Sequence, residues 1–137
     1  MAPRRFTLQE AEILLPRLSG LLAEIQARKA DYETFRRRVE ALGLQMKGNG
    51  HMVTDLKEAQ AGLERSAEEV NRLAKELPDT GGELKDLDQG LVDFRTEMDG
   101  REVYLCWKLG ETSIGWWHEL DTSFGGRQPL PPQAAGQ

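Results

Sequence analysis

The period at which apolar residues recur changes once along the chain, near Gly81-Gly82, and this limits the fold more than any single motif does. Before it, Ala11, Leu14, Leu18, Leu21, Ile25, Tyr32, Phe35, Val39 and Leu42 recur at steps of three and four, with Arg28 the one polar interruption. That is a sustained heptad-type seam. A second stripe of the same period runs through Met52, Leu56, Ala59, Leu63, Ala67, Val70, Leu73 and Leu77. Beyond the glycines, Val103, Leu105, Trp107 and Leu109 alternate with Glu102, Tyr104, Cys106 and Lys108, the period of a strand. The pattern predicts an α+β chain: a long antiparallel helical hairpin over about 7–77, then a small antiparallel sheet of three or four strands over about 83–130. Residues 131–137 read as a disordered polar tail, and the whole as one domain over 1–137.

Local chemistry sets the boundaries. Thr7 and Glu10 have the spacing of a capping box, so the first helix starts at about residue 8, and Pro16 inside the seam predicts a kink between Ala11 and Pro16. The helix is expected to run to about Leu42, with Gly43, Gly48, Asn49 and Gly50 reversing the chain and Leu77-Pro78 with Gly81-Gly82 ending the second helix. Strands follow at Glu83–Leu87, Leu91–Arg95, Arg101–Leu109 and Thr112–His118, with a tight turn at Asp99-Gly100. Helices of about 25 to 35 residues extend roughly 40 to 50 Å. The remaining 50 or so residues of the β-rich part cannot cover both stripes. A homo-oligomer, a dimer first, or a protein partner is therefore expected.

Composition narrows the functional classes. No segment approaches the roughly 20 apolar residues of a membrane span, and Gln9, Glu10, Glu12 and Pro16 break up any signal-peptide core. Neither a membrane partner nor secretion is expected. A single cysteine, Cys106, fits a reducing compartment, so the expected location is cytoplasmic. The net charge of -5 is uneven: residues 1–50 carry nine Lys/Arg against six acids, and the rest nine against 17. No broad basic face exists for nucleic acid, and Arg36, in the run Arg36-Arg37-Arg38, pairs with Glu33 and Glu40 at helical spacing.

Three C-terminal blocks carry a resemblance. They are Gly82-Glu-Leu-Lys-Asp-Leu-Asp-Gln-Gly-Leu-Val-Asp-Phe94, Asp99-Gly-Arg-Glu-Val-Tyr-Leu-Cys-Trp-Lys-Leu-Gly-Glu111 and Trp116-Trp-His-Glu-Leu-Asp-Thr-Ser-Phe-Gly-Gly-Arg-Gln-Pro-Leu130. With the opening Phe6-Thr-Leu-Gln-Glu-Ala-Glu-Ile-Leu-Leu-Pro16, the chain resembles domain of unknown function 2203, a bacterial and archaeal family of small proteins, over nearly its whole length. The resemblance implies a shared fold and brings no assigned activity, substrate or cofactor.

Few residues can carry chemistry. The two histidines are His51, at the start of the second helix, and His118, in Trp116-Trp117-His118-Glu119-Leu120-Asp121. His118 and Asp121 are three apart, which in a helical turn puts imidazole and carboxylate on one side. With His51 they would make two imidazoles and a carboxylate, a set that suits zinc, iron or manganese with open positions, while Glu119 could act as base on a metal-bound water. Against this stand a structural imidazole at His118 and a plain loop residue at His51. Asp86, Asp88 and Asp93 read as solvated turn carboxylates, and Cys106 has no histidine near it in sequence to activate a thiol.

The segment Phe124-Gly125-Gly126-Arg127 could let backbone amides and a guanidinium meet a carboxylate or phosphate; equally, Arg127 could pair internally with Asp93 or Asp121. If Trp107 and Trp116 share the inward face, Trp117 lies on the other and lines a pocket. Two readings follow. The first is an oligomeric interaction or ligand-binding module, with Trp117 and Arg127 at its C-terminal face. The second is a divalent-metal protein, or small metal-dependent enzyme, built on His51, His118 and Asp121.

Overall fold

The computed structural model describes residues 4–45 and 50–131, without the side chains of residues 50–52. The residues divide into two compact units, one made of residues up to 22 together with those from 76 onward, the other of residues 23–75. The pattern's own boundary at Gly81-Gly82 is thus not the structural one. The first helical turns belong with the sheet.

In the sheet unit, α1 (Leu8–Ile13) begins on the expected capping box: Glu10 N donates to Thr7 Oγ1 at 3.1 Å and Thr7 N to Glu10 Oε1 at 2.8 Å. Leu14 interrupts the helix before α2 (Leu15–Gln45) resumes, the break that Pro16 predicts. α4 (Leu77–Thr80) ends on Gly81, whose φ of +83° and lack of a side chain admit the Phe6 ring, with Phe6 Cζ 2.3 Å from where a Cβ would stand.

Five strands follow as an antiparallel meander in the order β1 (Glu83–Asp86), β2 (Leu91–Met98), β3 (Arg101–Lys108), β4 (Trp116–Glu119) and β5 (Gln128–Pro129). β5 is one strand more than the pattern shows, because two residues with no alternation leave no periodic signal. The β2–β3 turn is Asp99-Gly100, both at positive φ (53° and 80°), the type I′ geometry that matches strand twist.

The sheet's two faces differ in kind. Val92, Phe94, Val103, Leu105 and Trp107 point one way, each at most 2 % exposed. Phe6 sets its ring edge-on to Phe94 with centroids 5.4 Å apart and donates its N–H to Arg95 O at 2.7 Å, while Glu12 accepts from Ile114 N at 3.0 Å. With Ala11, Leu15, Leu18 and Leu22 these form the apolar core of this unit. The other face carries Asp93, Arg95, Tyr104, Cys106, Trp116 and His118.

In the helical unit, the rest of α2 and α3 (Gly50–Ala74) pack together, and Gly62 on α3 accepts the Phe35 ring of α2 against its backbone. α2 runs past Gly43 to Gln45, farther than the expected end near Leu42. Arg36 bonds Glu33 and Glu40, each at 3.0 Å, as the spacing predicts. Among the described residues no helix is long and apolar enough to cross a membrane.

Candidate functional site

Strand register builds the site. Asp93 pairs with Cys106 across β2 and β3, Cys106 with Trp116 and Tyr104 with His118 across β3 and β4. Directly opposed residues share a face, so an isolated carboxylate, the lone thiol and an imidazole converge. They are 3 %, 1 % and 1 % exposed, with one ligating atom from each inside a 4.8 Å group.

Hydrogen bonds orient them. His118 Nδ1 lies 2.8 Å from Glu119 O and Nε2 lies 2.9 Å from Asp93 Oδ2. A carbonyl only accepts, so Nδ1 carries a proton and Nε2 faces the carboxylate with one proton to share between them. Burial raises Asp93 above the ordinary carboxyl value, against the opposing pull of His118. The thiol of Cys106 lies beside the same carboxylate, and burial followed by the Asp93 charge pushes it up to about 12. A group so strongly protonated is no thiolate nucleophile, and the imidazole that would activate it is bound to Asp93 instead.

A cavity of about 320 Å³ opens over Asp93 and Cys106, walled by Lys85, Tyr104, Leu120 and Phe124 among others. Tyr104 is locked: its hydroxyl donates to Glu83 at 2.9 Å and accepts from Arg95 at 3.0 Å and Lys85 at 3.3 Å, with its ring 5.3 Å from that of His118. Beside the cavity, the Arg127 guanidinium lies between the rings of Trp116 (4.5 Å) and Phe124 (4.6 Å) and pairs with Glu111. Its side chain is 10 % exposed, and Nη1 is buried without a hydrogen-bond partner. A larger cleft of about 520 Å³ lies by Phe6, Leu8, Leu105 and Leu130, but its charged walls are engaged: Arg5 with Glu102, and Glu10 with Thr7.

A model for an uncharacterized conserved protein family matches residues 4–130. The chain belongs to domain of unknown function 2203. No curated protein and no solved structure matches it.

In this member of domain of unknown function 2203, the residues expected from sequence fall in several places. His118 sits on β4 and not in a helical turn, so Asp121, three residues on, is not brought to its side; Asp121 is exposed in the turn after β4, and Asp93 is the carboxylate that His118 meets. Glu119 points to the opposite face, where Arg101 bonds it at 3.1 Å and holds its carboxyl below the ordinary range. The side chain of His51 lies outside the described residues.

Register reverses the expected tryptophan faces: Trp117 opposes Leu105 and stands near Arg101, whereas Trp116 opposes Cys106 beside the cavity. Arg127 pairs internally, with Glu111 in place of Asp93 or Asp121. Asp93 is buried in β2 and is not a solvated turn acid like its expected companions Asp86 and Asp88. Its setting in Leu91-Val92-Asp93-Phe94, a single carboxylate inside an apolar strand on the parity of Leu91, marks it in the sequence.

Proposed function

We propose that this protein is a ligand-binding module whose cavity on the polar face of the sheet takes a small carboxylate on an apolar body. The buried, unpartnered Nη1 of Arg127 carries this reading. A donor left unpaired in the interior costs about 1–3 kcal/mol, and an anionic acceptor recovers it with a charge-assisted bond. The Arg127 guanidinium lies over Trp116, which stands opposite Cys106 on the cavity face, and Phe124 is both the other ring on the guanidinium and a cavity wall. Lys85 adds positive charge to the same cavity, and Leu91, Leu120 and Phe124 offer apolar contact. The acids Asp86, Asp93 and Glu111 nearby favour a singly charged carboxylate over a phosphate.

Ligand-observed NMR with hexanoate and its neutral amide, hexanamide, tests this. The acid is expected to bind at least tenfold more tightly, with most of that preference lost in Arg127→Gln and part of it in Lys85→Gln. Equal binding of acid and amide, or a preference that survives Arg127→Gln, overturns it.

A second reading concerns self-association. Tyr32, Phe35 and Val39 of α2 and Leu56, Leu63 and Val70 of α3 remain only half-buried in a unit made of two helices. A second copy would supply the other pair of a four-helix arrangement, since the same three-and-four spacing runs along both helices. Sedimentation equilibrium should then give a dimer that Leu63→Glu converts to monomer; a monomer at the highest soluble concentration removes this reading.

A further inference from the structure

We infer that Asp93, Cys106 and His118 form a binding site for a divalent transition metal, zinc foremost. The three side chains are the three commonest protein ligands of zinc, one soft sulfur, one imidazole nitrogen and one carboxylate oxygen, converging from three adjacent strands.

The imidazole is oriented as a ligand. Its Nδ1–H is spent on the Glu119 carbonyl at 2.8 Å, which fixes the ring and leaves Nε2 facing Asp93 and Cys106. Metal-bound histidines are held in this way, by a bond from the other ring nitrogen to a carbonyl or carboxylate. Because Glu119 lies on a strand whose backbone is paired to β3, the acceptor is as rigid as the sheet.

Spacing also fits. Zinc bonds of about 2.0 to 2.3 Å in a tetrahedron need donors roughly 3.3 to 3.7 Å apart. The three atoms already lie within 4.8 Å, so side-chain torsions suffice to close the site. The hydrogen bond that now joins Asp93 to His118 is replaced by bonds to the ion, with the shared proton and the Cys106 thiol proton released. A divalent cation neutralises the carboxylate and thiolate, which would otherwise repel each other in a buried place. Three protein ligands leave a fourth position, and Asp93 and Cys106 line the cavity, so that position faces it.

This set differs from His51, His118 and Asp121, and the two can be told apart with the metal alone as probe, independently of any carboxylate ligand. Chelator-treated full-length protein is titrated with zinc against a chromophoric competitor and, separately, with Co(II). The expected result is one equivalent of each, with tetrahedral visible bands and a near-ultraviolet thiolate-to-cobalt charge-transfer band. Cys106 is the chain's single cysteine, so that band alone assigns the sulfur ligand even if no variant folds. Asp93→Asn should weaken zinc at least tenfold, while Asp121→Asn and His51→Ala leave it unchanged. Absence of stoichiometric binding, a cobalt spectrum without the charge-transfer band, or loss of the metal in Asp121→Asn or His51→Ala overturns the assignment.

Discussion

The sheet unit and the helical unit are built from similar proportions of apolar residues, yet they bury them differently. In the sheet unit, Val92, Phe94, Val103, Leu105 and Trp107 are sealed on one face, and even the polar face buries Asp93, Cys106 and His118. In the helical unit, Ile25, Ala59 and Leu73 are sealed, but Tyr32, Phe35, Leu63 and Val70 are half open. A sheet has two broad faces, and here both bury side chains. Two helices share one narrow seam, so each residue beside it keeps an exposed flank. A desolvated setting is accordingly offered by the sheet, whereas the helical unit keeps apolar flanks half open.

The sharpest way to break this comparison is truncation. Phe94→Ala removes a fully buried ring and should cost about 3–5 kcal/mol in denaturant unfolding, whereas Leu63→Ala, half-buried, should cost about 1 kcal/mol. Equal costs would mean that the helical seam is covered as well as the sheet. Glycines give a second contrast. Gly81→Ala, at positive φ and against Phe6, should destabilise by about 1–3 kcal/mol. Gly43→Ala, in the interior of α2 with open space around it, should stabilise by about 0.5–1 kcal/mol, both read from denaturation midpoints.

A smaller effect is expected in alkali. Cys106 holds its proton more tightly when folded, its pKa rising from 9.0 to about 12, so its contribution is complete below pH 9 and is lost as pH rises toward 12. In chelator-treated protein, the stability of wild type relative to Cys106→Ala should fall above pH 9; a constant difference would show an accessible, ordinary thiol. The smallest effect belongs to the exposed ion pairs of the helical unit. Arg36→Gln should leave the midpoint unchanged within error at moderate salt, and a clear loss would give that surface a structural part.

Much of the architecture is legible along the chain because it depends on neighbours. The capping box at Thr7, the break at Pro16, the turn at Asp99-Gly100, the two parities of β3 and the Arg36 pairs each involve residues a few positions apart. The candidate site is legible only in part. His118 and Arg127 stand out by composition, but their partners, Asp93 and Glu111, lie 25 and 16 positions earlier in the chain. Alternation says which residues of one strand share a face and nothing about which residue of the next strand stands opposite. The tryptophans show the same limit, since Trp116 and Trp117 exchange faces if the register moves by one residue.

The sequence by itself thus determined the two long helices, four of the five strands and the α+β class, because hydrophobic period, caps and turns act over a few residues. Only the tertiary structure decided that residues 8–22 join the sheet, that Asp93, Cys106 and His118 meet, and that Arg127 keeps one nitrogen without a partner. These outcomes rest on strand register and on desolvation by distant segments, which no local pattern encodes.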